Sequence, residues 1–392
     1  MLIKKKEIAL LLIFLSLVVT NLFAENYYFK RYDKENGLSQ QTVFCAVQDR
    51  RGFLWFGTKV GLNRFDGTKF KNYVADPEQP NSLPNNTVLA LAEAPDGSLW
   101  LGTSDGLCIY NPEKDTFAPF VSADLTIEGL IDNLVFDKQG NLWVINSKGT
   151  YCLDVKNGNH KFFAASDFFV PTGITVTQSG SVWVLGLDGN IYLFNPQRME
   201  FSSYPILTKE EKTKHILLYR ILECSNGDLV VTTDRIGARR FSPNNGEVKV
   251  LFSNDSQNNP IYIHTAIQRN KDEFWFGTES GIHIYQLNLG FIDHLQKSYN
   301  DAYSLSDNAV HMLLKDREEG IWVGTFFGGV NYLSSNNTLF DKYLPKDEKG
   351  SIKANVIREI HPDVEGNLWV GTEDLSLIHI SERTRLDVIS YA

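Results

Sequence analysis

One phrase returns eight times along this chain of 392 residues. It is clearest as DRRGFLWFGTKVGLNRFDG at 49–67, APDGSLWLGTSDGLCIY at 94–110 and DREEGIWVGTFFGGVNYL at 316–333. Its anchors are Trp55, Trp100, Trp143, Trp183, Trp275, Trp322 and Trp369, with Val230 in the equivalent place of a degenerate copy, so the copies follow one another at 40 to 47 residues. A period of this size, filled with short alternating strands and Gly or Asp turns, predicts the blades of a β-propeller.

Each copy opens with an apolar stretch such as Thr42 to Val47, then an Asp/Gly turn, the Trp strand, a Gly-Thr step and a polar loop. A second Gly starts a strand ending in an aromatic, as in Gly61 to Phe65, and a fourth strand follows, as in Phe70 to Tyr73. The pattern is four antiparallel strands joined by hairpins, one small sheet per copy. Such a sheet is apolar on both faces, so it must stack against its neighbours in a ring. An indole that buries ~200 Å² contributes up to about 5 kcal/mol at roughly 25 cal/mol/Å², and a strand-centred residue repeated in every copy fits glue between blades better than a ligand platform.

Other positions repeat for local reasons. Gly52, Gly97, Gly140, Gly227 and Gly366 fall three before the anchor, where a tight turn calls for positive φ. Asn86, Asn308 and Asn355, with Gln41 in the matching place, fall fourteen before it and are expected to satisfy backbone groups where each innermost strand begins. Asp49, Asp137, Asp316 and Asp363 fall six before it and read as turn formers rather than general acids.

At the N-terminus Lys4 to Lys6 precede an apolar run from Ile8 to Val19, and Leu22-Phe23-Ala24 offers a cleavage point, so 1–24 reads as an export signal. A retained membrane anchor is the rival reading, although the run is short for a span. Either way the body lies outside the cytoplasm. The formal charge of −9 and pI near 5.5 disfavour nucleic acid. Four cysteines in an exported chain invite disulfides. The register separates them: Cys45 and Cys224 sit in first strands of distant copies, and Cys108 and Cys152 in neighbouring third strands face opposite ways. Free buried thiols are therefore expected.

These residues together carry a family resemblance. Leu-Ser or Asn before the first strand, Asp-x-x-Gly-x-Leu-Trp-x-Gly-Thr, then Gly-Leu and an Arg-Phe-Asp or aromatic ending, resemble the two-component regulator propeller repeat. The match is closest from Asn36 to Gly67 and extends from residue 28 to about 374. The resemblance implies the periplasmic sensor part of a Bacteroidetes-type hybrid two-component sensor histidine kinase. In that family two seven-bladed rings precede an immunoglobulin-like module, a membrane helix and kinase modules, and many members are linked to oligosaccharide sensing. The partners implied are a small-molecule or oligosaccharide ligand, the remainder of the same receptor and a second copy of it.

Strand order sets the expected boundaries. Phe29 to Tyr32 resembles the fourth-strand sequence Phe70 to Tyr73 and so closes the ring by completing the seventh blade; Phe340 to Tyr343 repeats that opening. The reading is an all-β chain: a seven-bladed propeller of four-stranded antiparallel blades over 25–335, and the truncated start of a second propeller over 336–374. A single eight-bladed ring is the rival. Beyond Asp374 the repeat demands Gly-Leu, yet the sequence reads Leu375-Ser376 and continues LIHISERTRLDVISYA, so 375–392 departs from any blade and resembles a non-native tail.

No nucleophile elbow, phosphate-binding Gly loop or His/Cys ligand spacing occurs, so no catalytic residue, metal or cofactor is assigned. The variable loops between second and third strands should converge on one rim of the channel. They carry Lys59, Asp105, Asp188, Asp234, Arg235, Glu279, Phe326 and Phe327, a mixture of aromatic and charged groups suited to an oligosaccharide. Phe326 and Phe327 packed at a blade junction are the plainer alternative. A secreted propeller enzyme, a glycan lyase or a quinoprotein-like oxidoreductase, is the rival function, because rings of this shape also host catalysis.

Overall fold

Each copy of the phrase folds into one antiparallel sheet, and seven four-stranded sheets close a ring. The computed structural model describes residues 27–335 apart from 123, 167 and 168, then residue 352, residues 356–365 and 367–373, and the backbone of 377–380. The innermost strands are Val43–Gln48, Val88–Glu93, Asn133–Phe136, Pro171–Val176, Leu218–Glu223, Ile263–Gln268 and Val310–Lys315, which define blades 1 to 7. The seventh blade takes its outermost strand from the other end of the chain: Lys30–Tyr32 pairs antiparallel with Val330–Leu333, with Tyr32 opposite Val330. Seven blades, not eight, therefore make the ring.

The tryptophans hold it together. Trp55 packs into a cluster with Leu99, Leu101 and Tyr110 of blade 2, Trp100 with Leu142 and Val144 of blade 3, Trp143 with Val182 and Val184 of blade 4, and Trp183 with Leu229 and Phe241 of blade 5. Trp275 meets Ile321 and Val323 of blade 7, and Trp322 closes the circle on Leu54 and Phe56 of blade 1. In blades 1, 2, 4 and 5 the aromatic near the end of the third strand meets the preceding blade's indole: the Trp55 and Tyr110 rings stand 4.9 Å apart, those of Trp143 and Phe194 4.7 Å. At the degenerate copy Val230 fills the interface with Phe274 and Phe276, and Asp228 pairs with Arg240.

The Asp/Gly turn does more than reverse the chain. Asp316 Oδ1 accepts from the Glu318 and Gly320 amides while its Oδ2 accepts from Trp322 Nε1 at 2.8 Å. Asp49 and Asp137 do the same for Trp55 and Trp143 at 2.9 Å. The spacing of six is thus the reach from turn to indole. Gly52, Gly97, Gly140 and Gly227 take φ between 84° and 92°, and Glu319 occupies the same turn position at φ 66°. Gly366 lies outside the described residues.

The Gly-Thr step has two separate reasons. A Cβ on Gly102 would stand 2.7 Å from the Ile131 carbonyl of the next blade, so glycine is required for close approach. The threonine caps its hairpin: Thr58 Oγ1 donates to Gly61 O at 2.9 Å and accepts from the Val60 amide. Between blades, Asn86 Oδ1 accepts from the Ala75 amide and Asn308 Oδ1 from the Lys297 amide, each at 2.7 Å. Both asparagines tie the entrance of an innermost strand to the exit of the previous blade. Gln41 contributes its carbonyl instead, accepting from Gly329 N at 3.0 Å. Asn355 lies outside the described residues.

All four cysteines are free. Cys108 and Cys224 are buried, whereas Cys45 and Cys152 are half-buried, less than the sequence led us to expect. Cys108 and Cys152 belong to different interfaces, because the first packs with blade 1 and the second with blade 4. Burial pushes the Cys45, Cys108 and Cys152 thiols up to about 12. After the ring, Ile357–Pro362, Leu368–Thr372 and Leu377–Ile380 form a separate three-stranded sheet. It repeats the start of a blade, with Asp363 Oδ2 accepting from Trp369 Nε1 at 2.9 Å. The break in the phrase at Leu375-Ser376 therefore does not prevent a third strand from pairing at 377–380. The expected export signal at 1–24 and the expected strand at 340–343 lie outside the described residues. Among the described residues no helix is long and apolar enough to cross a membrane.

Candidate functional site

The innermost strands of six of the seven blades share one irregularity, and the regular strand of blade 3 is the exception. The pairing register skips a residue between Val43 and Cys45, Val88 and Ala90, Pro171 and Gly173, Leu218 and Arg220, Ile263 and Thr265, and Val310 and Met312. The unpaired residues are Phe44, Leu89, Thr172, Tyr219, His264 and His311, and Asp132 stands at the same place just before blade 3's first strand. A bulge re-aims a side chain without moving its neighbours. The residue before it stays in the core, as Val43, Val88, Leu218 and Val310 do, while the bulged residue turns to the channel. All seven line one cavity of about 530 Å³, with Arg220, Asn133 and Ser147 beside them.

The cavity is two-sided. On blades 5 to 7 the rings form a continuous arc: Tyr219 meets His264 edge to face at 5.5 Å, His264 stacks on His311 at 4.2 Å, and His311 meets Phe326 at 5.2 Å and Phe326 meets Phe327 at 4.6 Å. Blades 3 and 4 add Asp132, Asn133, Ser147 and Thr172, and blades 1 and 2 add Phe44 and Leu89. Arg220 bridges the blades, its Nε donating to the His264 carbonyl at 3.1 Å. The confined channel pushes the Asp132 carboxyl up, against the pull of Arg220. Burial, then the charge that His264 would carry, draws His311 down to about 4, against Glu279 and Asp307. His311 is therefore a neutral imidazole near pH 7.

The hairpins between second and third strands lie beside the loops that enter the innermost strands. The residue four after the anchor bonds back to the loop entering its own blade: Lys59 N to Thr42 O at 3.1 Å, Ser104 N to Thr87 O at 3.1 Å, Phe326 N to Ala309 O at 2.9 Å. Of the eight rim residues, Glu279, Phe326 and Phe327 come together with the channel histidines. Glu279 Oε1 lies 2.6 Å from His264 Nε2 and 3.7 Å from His311 Nε2. Lys59 and Asp105 are exposed at the tips of their own hairpins. Asp188 accepts from Tyr192 Oη at 2.7 Å and faces a smaller cavity of about 270 Å³ with Lys212 and His215. Asp234 accepts from the Leu217 amide at 2.9 Å and pairs with Arg235, whose Nη2 donates to His215 O.

The sequence reasoning passed over the bulge residues. A signal was present: eleven before the anchor stand Phe44, Leu89, Asp132, Thr172, Tyr219, His264 and His311, a varied column directly after one that is apolar in every copy. Alternation along a regular strand assigns that column no special direction, and only the bulge turns it inward.

Comparison with known proteins places this geometry in context. The family described as Two component regulator propeller matches residues 37–59, 82–105 and 304–327. A 53-residue stretch is 49% identical to Histidine kinase P4 of Formosa agariphila, covering 14% of this chain and 4% of that protein. Among solved structures, the extracellular domain of a hybrid two component system from B. thetaiotaomicron superposes with a TM-score of 0.70 at 24% identity, over 93% of this chain and 49% of that one. A second such domain from the same organism gives 0.69 at 19% identity, over 88% and 44%. Virginiamycin B lyase from Staphylococcus aureus gives 0.61 at 12% identity, over 79% of this chain and 99% of the lyase. At these identities the superpositions establish the fold, and the chain spans about half the length of the two-component structures. The repeated phrase that builds the ring is thus, in three of its blades, the repeat described as Two component regulator propeller.

Proposed function

We propose that this chain is the extracytoplasmic ligand-sensing region of a hybrid two-component receptor, and that its ligand, an oligosaccharide, enters the channel mouth over the bulge residues. The observation that carries the reading is the column eleven before the anchor: seven copies of one scaffold turn six kinds of side chain into one cavity of about 530 Å³. A stacking arc from Tyr219 to Phe327 faces Asp132, Asn133 and Ser147, which pairs an apolar sugar face with hydrogen-bonding groups for its hydroxyls. The matched repeat and the resemblance to extracellular domains of two-component systems support the receptor setting and a location outside the cytoplasm. We read the three-stranded sheet at 357–380 as the opening of a second ring, and the kinase, the membrane helix and a receptor dimer as belonging to the whole protein.

Calorimetric titration with a panel of oligosaccharides tests this, beside chromatography for any cleaved product. Tyr219→Ala and Phe326→Ala should each weaken binding about 10-fold or more, as loss of a stacking face worth ~1.5 kcal/mol requires. Lys59→Ala and Arg235→Ala, outside the cavity lining, should leave it nearly unchanged. Unchanged affinity in both aromatic variants would remove the channel mouth as the site, and turnover of the sugar would replace sensing by catalysis.

A further inference from the structure

His264, Glu279 and His311 belong to two different blades. The two histidines occupy the same bulge position in consecutive copies, 47 residues apart, so the ring must make them neighbours. Glu279 arrives from the hairpin of blade 6, four after Trp275, and leans back over the bulge of its own blade. The outer sheet repeats this relation, because Arg358 and Glu373, at the same two places, also pair. The meeting of the three side chains is thus built into the repeat and does not depend on flexible loops.

From this arrangement we propose that His264, Glu279 and His311 form a binding site for a divalent transition metal of the zinc type at the channel mouth. Two imidazoles and one carboxylate are a donor set that such ions take, and it leaves coordination positions free. The ligating atoms all lie within 4.8 Å of one another, with 2.6 Å and 3.7 Å from the carboxylate oxygen to the two ring nitrogens. Donors around a tetrahedral zinc at ~2.0 to 2.1 Å stand roughly 3.3 Å apart, so these separations bracket the required one. The stacked rings, 17° from parallel, must splay, since each lone pair lies in its ring plane. On the far side of the ring, Nδ1 of His264 is buried without a hydrogen-bond partner, so no bond there fixes the imidazole against that rotation. The open positions would face the cavity, where a ligand oxygen can complete the shell.

The test needs no glycan and is therefore separate from the sensor reading. The purified chain, stripped with chelator, is titrated with zinc by calorimetry and with cobalt by visible absorption. One equivalent should bind, with the intense absorption of low-coordinate cobalt, and calcium should not compete. His264→Ala and His311→Ala should each weaken binding more than about 100-fold, beyond the loss that removal of an outer partner causes, and Glu279→Gln should weaken it about 10-fold or more. Melting midpoints of the apo variants, expected to match the parent because all three side chains are partly exposed, check that each is folded. Zinc uptake that is absent, equalled by calcium, or unchanged in a folded His264→Ala/His311→Ala double variant would overturn the proposal.

Discussion

His283 shows how far one side chain in this ring departs from its behaviour in water. It is 2% exposed, its ring stacks on His294 at 3.8 Å, and its Nε2 is 3.1 Å from Ser280 Oγ. Burial, then the neighbouring His294, draws its pKa down to about 4, against the pull of Asp255. The unfolded chain therefore takes up the proton first as pH falls. Stability from this group is complete above about pH 6.5, declines below it and is exhausted near pH 4. The full difference is about 3 kcal/mol. Melting midpoints between pH 7 and 4 should fall in the parent, and His283→Asn should flatten part of that slope; the share that remains includes His311, drawn down in the same sense. A profile unaltered by the substitution would mean that His283 already titrates normally in the folded chain.

At the scale of one strand, the bulge separates two duties that a regular strand would mix. Leu218 is fully buried between blades 4 and 5, while Tyr219, its neighbour, is 39% exposed in the channel. Leu218→Ala should cost about 2 to 5 kcal/mol through the cavity it leaves, and Tyr219→Ala less than about 1 kcal/mol, as a surface change does. Denaturant unfolding of the two variants measures this directly, and equal losses would show that the strand does not turn its side chains as described. The same separation lets the ligand surface diversify while the ring stays constant. It also explains the partial legibility of the site: Glu279, Phe326 and Phe327 could be named because hairpin loops vary visibly, whereas Tyr219, His264 and His311 sit inside strands that alternation reads as ordinary core.

The ring as a whole is closed by Lys30–Tyr32 lying along Val330–Leu333, reinforced by Arg31, whose Nε and Nη2 donate to the Ser304 carbonyl at 3.2 and 3.0 Å. Closure removes the exposed edge that a stack of six and three-quarter blades would keep. A chain ending at residue 335 should therefore fold as a complete ring with a cooperative transition, whereas deletion of 27–32 should leave Val330–Leu333 unpaired and promote association. Light scattering and calorimetry distinguish the two, and unfolding of the ring on loss of 336–392 would contradict closure by the N-terminal strand.

The sequence by itself determined the blade, the number of copies and the closing strand. Those follow from local chemistry at fixed spacing: an indole six residues from its aspartate, a positive-φ turn, a glycine where the next blade presses close, and an outer-strand pattern displaced to the N-terminus. Tertiary structure alone decided which variable residues meet. Residues far apart in the chain, Asp132, Arg220, His264 and His311, become neighbours because a ring turns equal positions in successive copies toward one axis. In every blade but the third their direction depends on a skipped pairing in the innermost strand, and a one-residue slip reverses every side chain beyond it.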